Sequence, residues 1–184
     1  MPTDNDLHKA ANKGDLETCR KLLESPVCEE ESYDVNCAGA SDRRPLHRAA
    51  GAGHKSICEY LLSKGALVDQ EDKSGRTSLH WAAIGGHAEI VKLLLESGAN
   101  IMAQTSTKMS ALHGACEAGR VEVVRELLGH LAEDEEKRNA LSNLKNQDDK
   151  TPFEIAAASK HAAVCQALKD CGDINATSSA CTVS

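Results

Sequence analysis

Eight histidines and eight cysteines stand in a chain of 184 residues. Imidazoles and thiols in that number could hold a zinc ion, activate a nucleophile or form disulfides, depending on which of them meet. A metal site needs ligands that converge on one point, and a reactive thiol needs a neighbour that lowers its pKa. The spacing points elsewhere. No C-x-x-C or H-E-x-x-H is present, and no glycine-rich phosphate loop follows a strand. No Ser/His/Asp set stands apart from a regular pattern that takes in seven of the eight histidines. Neither catalysis nor a metal or other cofactor is expected.

That pattern is a repeat. Leu46-His47-Arg48-Ala49-Ala50 recurs as Leu79-His80-Trp81-Ala82-Ala83 and as Leu112-His113-Gly114-Ala115-Cys116, each step being 33 residues. Looser copies, Leu7-His8-Lys9-Ala10-Ala11 and Phe153-Glu154-Ile155-Ala156-Ala157, lie 39 and 41 residues outside these, which implies insertions of 6 and 8. A second landmark keeps step: Gly53-His54, Gly86-His87 and Gly119-Arg120 open apolar runs, with Gly14-Asp15 and Lys160-His161 in the outer copies. Stacked copies set equivalent side chains along a line rather than around a centre. The histidines are therefore expected to bond backbone groups in the turns, His130 alone standing outside the repeat. Cys19, Cys58 and Cys165 share the position of Val91 and Val124 and read as small buried hydrophobes, and Cys116 replaces an alanine of the pair. Cys28, Cys37 and Cys171 fall near loops, with nothing beside them to activate a thiol.

The elements that carry these residues follow from local chemistry. Asp72-Lys73-Ser74-Gly75 reads as a turn, and Thr77 as an N-cap that accepts backbone N–H bonds before a short helix. Gly86 ends that helix, Glu89 to Glu96 form a second, and Gly98 provides a left-handed stop. Thr151-Pro152 repeats the start, whereas Arg44 replaces the cap in the second copy, a loss of ~1 kcal/mol. Helices of about two turns do not persist alone in water, so stability must come from stacking neighbours.

These residues resemble the ankyrin repeat, whose T-P-L-H-x-A signature and period they share over nearly the whole chain. The resemblance implies an all-α solenoid of stacked helix-turn-helix units with β-hairpin-like loops. On this reading the repeat domain is 1–175, with repeats at about 4–36, 39–71, 72–104, 105–137 and 146–175, the outer two being caps, and 176–184 is a flexible tail. It also implies a non-enzymatic interaction module or adaptor whose concave face and hairpin tips meet a partner protein. The non-consensus positions there are Arg43, Arg44, Arg48, Lys73, Arg76, Trp81, Ile84, Lys108, Met109 and Lys150, with Ile155. Trp81 has two readings: an exposed interface anchor, or a ring packed on the next repeat.

Only 2% of residues are aromatic, so the core must be built from Leu, Ala, Val, Ile and Cys in thin layers. The net charge of −7 disfavours a nucleic-acid partner. Acidic residues crowd Glu24 to Asp34 and Glu133 to Glu136, while the second and third hairpins lean basic. This favours an acidic or amphipathic partner segment, with solvated charge of no role as the alternative. Between the fourth and fifth copies an extended or extra helix is expected, with Glu133–Lys137 and Asp134–Arg138 pairs and apolar Leu141 and Leu144. The start shows no secretory leader, which predicts the reducing cytoplasm or the nucleus, and a monomer is expected. Cys181-Thr182-Val183-Ser184 matches a farnesylation motif, so the alternative is a membrane-associated adaptor lipidated at Cys181. No basic cluster supports it, and a motif this short also arises by accident.

Overall fold

The computed structural model describes residues 3–24 and 33–171. Cys28 with most of the first acidic stretch, and the tail bearing Cys181, lie outside the described residues. Five helix pairs follow one another: α1 (Asp6–Lys13) with α2 (Leu16–Glu24), α3 (Pro45–Ala52) with α4 (Lys55–Ser63), α5 (Ser78–Gly85) with α6 (Ala88–Glu96), α7 (Ala111–Glu117) with α8 (Val121–His130), and α10 (Pro152–Ala158) with α11 (Ala162–Asp170). The remaining helix, α9 (Glu135–Ser142), fills the insertion before the last pair. The described residues contain no strand, only a Gln104–Ser110 antiparallel bridge at one turn. No described helix is long and apolar enough to cross a membrane.

The first helix of each pair stops where the chain must turn left-handed. Gly53 and Gly86 do this at φ of 85° and 88°, and Lys160 holds the corresponding place in the last pair at φ 60°. Ala49, Ala50, Ala82 and Ala83 are fully buried, and their small size lets successive first helices pack closely. The second helices supply bulk through Ile57, Leu61, Ile90, Leu94, Val124 and Leu127, in one continuous core. Cys19, Cys58 and Cys165 are buried within it, as the match with Val91 and Val124 predicts. Burial pushes the Cys19 thiol up to about 11 and that of Cys58 up to about 12, far from a reactive state. The half-buried Cys37 and Cys171 are shifted upward by the same cause.

Two sets of histidines join the layers in opposite directions. His47, His80 and His113 accept at Nδ1 from the amides of Arg44 (2.8 Å), Thr77 (3.2 Å) and Ser110 (3.1 Å). An accepting Nδ1 leaves the proton on Nε2. That nitrogen donates forward, to the carbonyls of Gln70 (2.9 Å), Met109 (3.1 Å) and Lys150 (3.2 Å). The second set reaches backward: His54 to Asn12, His87 to Gly51 and His161 to Glu117, all carbonyls at 3.0–3.2 Å, with Arg120 bonding Ile84 in the same way. Burial pushes His80 and His113 below the ordinary imidazole range, and His47 down to about 4.

Thr77 caps α5 in a box with His80, its hydroxyl also donating to His80 Nδ1 at 2.9 Å. At Arg44 the side chain makes no cap, but the His47 half of the arrangement persists. In α9, Lys137 pairs with Asp134 at 3.1 Å rather than with Glu133. The reason is that Asp134 caps the helix, accepting from the Lys137 amide, and so lies beside that side chain. Arg138 bonds the Ala132 carbonyl instead of Asp134. Leu141 is fully buried and fastens α9 to the core.

Candidate functional site

The turns before each first helix form the outer rim. In the third, Asp72 accepts at Oδ1 from the amides of Ser74 (2.8 Å) and Arg76 (3.1 Å), and Gly75 closes the turn at φ 73°. Asp42, Lys108 and Asp149 take the equivalent left-handed place at φ 57–60°, although each carries a Cβ. Successive turns are tied main chain to main chain. Lys73 N–H reaches Ser41 O at 3.0 Å, Ser106 N–H reaches Ser74 O at 3.1 Å, and Gln147 N–H reaches Thr107 O at 3.0 Å.

Three of the arginines proposed for a partner are engaged within the chain. Arg48 pairs with Asp4 at 2.6 Å, and Asp4 also accepts from the Ala40 amide at 2.8 Å. Burial opposes a charge on Asp4, but the Ala40 amide and the Arg48 guanidinium together outweigh it and hold the carboxyl below its usual range. Arg44 donates to the Asn36 carbonyl at 2.9 Å. Arg43 stacks on the Trp81 ring, 4.2 Å from its centroid, with Nε 3.7 Å from the buried Asp72. Trp81 itself is half-buried. Its indole N–H donates to Asp72 at 3.1 Å, and Arg76 lies 5.2 Å from the ring centroid. The Trp81 side chain rests over Gly51, where an added Cβ would come within 3.5 Å of it. Trp81 thus packs on the preceding repeat, which neither sequence reading anticipates.

Lys73, Arg76, Lys108 and Lys150 take part in no ion pair among the described residues. Two of them border a groove of about 670 Å³ that runs across the third, fourth and fifth pairs. Arg76 and Lys150 lie at its tip side, Ile84, Met109 and Ile155 give it apolar walls, and Gly114 forms its floor. Hydroxyls of Ser74, Ser106 and Thr107 line it on the turn side, and Glu117 stands at the far end of α7. His80 borders the groove with both ring nitrogens held by backbone.

Of the residues proposed from sequence, the groove brings together Arg76, Ile84, Met109, Lys150 and Ile155. Lys73 and Lys108 are exposed on the tips, while Arg43, Arg44, Arg48 and Trp81 do not line it and are engaged within the chain. Sequence reasoning missed Gly114, Glu117, Thr107 and Gln147 as lining residues. The signal for Gly114 was present: it occupies the slot of Trp81 one repeat later, with no side chain of its own.

A family model described as ankyrin repeats (3 copies) matches residues 7–105 and 102–178. Human "Ankyrin repeat and SOCS box protein 1" is 44% identical over 80 residues, covering 40% of this chain and 22% of the relative. Rat "Oxysterol-binding protein-related protein 1" is 42% identical over 67 residues, covering 34% of this chain and 7% of that protein. "Serine/threonine-protein kinase 12" of Arabidopsis thaliana is 38% identical over 65 residues, covering 35% and 13%. The chain therefore spans less than a quarter of the length of these relatives.

Proposed function

The chain belongs to the ankyrin-repeat family, and we propose that it works as a non-enzymatic adaptor, holding one partner protein in the groove of repeats three to five and against the neighbouring hairpin tips. Repeats of this family are protein–protein interaction modules. The relatives favour a recognition role, since the shared stretch is a small part of proteins whose names otherwise have little in common. The observation that carries the reading is the groove itself. Apolar walls lie beside cations that make no ion pair among the described residues, on a scaffold that already engages Arg43 and Arg48 internally. Such a surface suits an acidic or amphipathic partner segment.

Photo-crosslinking in cells tests this. A benzophenone amino acid placed at Lys108 or Lys150 is expected to capture the partner, whereas the same group at the exposed Lys92 on α6 captures none. Adducts formed from Lys92 but from neither tip position would place recognition on the second helices and refute the reading. The arginines of the second copy are poorer probes, because reversing their charge disturbs packing and recognition together.

A further inference from the structure

We infer that the groove selects a partner segment by one apolar side chain seated beside Gly114, against Ile84, Met109 and Ile155, with an acidic residue near it at Arg76 or Lys150. This rests on the groove reading above and names its ligand chemistry. The slot that opens each first helix toward the concave face holds Lys9, Arg48, Trp81, Gly114 and Ile155 in turn. Four are long side chains and one is absent. Glycine inside a helix is less stable than alanine, so its presence calls for a packing reason. That reason is Ile84, whose Cγ1 would lie 2.9 Å from a Cβ on residue 114. The glycine lets Ile84 lie against α7 in the space a side chain at 114 would fill, and the apolar seat is bounded by Ile84, Met109 and Ile155 beside it.

Charge sets the direction of the segment. Arg76 and Lys150 border the tip side with no carboxylate bound among the described residues. Asp148 is the acid on that rim, and Glu117 lies at the opposite end of the groove. An acidic partner residue is therefore accepted toward the tips and repelled toward the helix ends. The apolar walls and the chain's net charge of −7 favour a protein segment over a polyanionic strand.

Selection of displayed random peptides on the full chain tests the inference. Binders recovered should share an isolated Leu, Ile, Met or Phe with Asp or Glu nearby. Gly114→Ala, which turns Ile84 into the groove, and Ala158→Trp, at an exposed lining position, should each weaken binding roughly tenfold or more without lowering the urea midpoint. Arg76→Glu should weaken it and abolish the acidic preference. Should Gly114→Ala impair folding, alanine at the peptide's anchor supplies the same test from the ligand side. Peptides blocked by Ala158→Trp but indifferent to Gly114→Ala, or lacking an apolar anchor, would overturn this inference and leave the groove reading standing. Peptides untouched by all three variants, or no binders at all, would overturn both.

Discussion

Mild acid should loosen this fold well before its carboxylates titrate. His47 is 2% exposed, and burial lowers its pKa from 6.5 to about 4. Its bond to the Gln70 carbonyl and the nearby Asp72 resist that shift, and Arg44 adds to it. Above the unfolded value the ring is neutral in both states and stability is flat. As pH falls from 6.5 towards 4, the unfolded chain takes up a proton that the folded chain refuses, so stability declines; below the folded value both are charged and the loss levels off. For His47 alone the loss is roughly 2 kcal/mol at pH 5 and about 3 kcal/mol in full. His8, His80 and His113 are shifted downward as well and add to it. The structural cause is specific: a protonated Nδ1 cannot accept the amide it caps. Urea unfolding followed by circular dichroism at pH 7 and pH 5, with imidazole titration by NMR, measures both quantities. Equal midpoints at the two pH values, or a His47 ring titrating near 6.5, would refute the reasoning.

Three further outcomes follow from single positions. Lys160→Gly should raise stability by about 0.5–1 kcal/mol, since φ of 60° strains any side chain there; Tm by calorimetry is the readout. Asp4→Ala should cost about 1–2 kcal/mol by leaving the Ala40 amide and Arg48 without their acceptor, and hydrogen exchange should show α1 opening first. Cys58→Val should shift the urea midpoint by less than about 1.5 kcal/mol, because the repeat places valine at the same buried point in two other copies.

What the sequence made legible is whatever recurs. A 33-residue step fixes helix pairs, glycine stops, the buried cysteines and the backbone role of the histidines without any knowledge of contacts. The contacts of the unique residues were not legible, because they join positions about one repeat apart with no local cue. Asp4 meets Arg48, and Arg43 meets Asp72 beneath Trp81; each pair comes together only once the layers are stacked. The ion pairs of α9 were misassigned for a different reason. Helical i,i+4 spacing treats Asp134 as a residue within the helix, whereas it is the cap, where the side chain turns back to the first amides. Five lining residues of the groove (Arg76, Ile84, Met109, Lys150 and Ile155) were legible as non-consensus positions, but Gly114 was missed because a search for chemistry looks for groups that are present.

The tip-to-tip bonds bear on how such a molecule can change. Lys73 with Ser41, Ser106 with Ser74 and Gln147 with Thr107 are joined through amide and carbonyl alone. Any residue except proline can supply such an amide, and every residue supplies the carbonyl. The side chains at the rim can thus be exchanged while the spacing between neighbouring tips stays fixed. Recognition and registration are written in separate parts of the same residues, so a lineage can acquire a new partner at its rim without renegotiating its architecture.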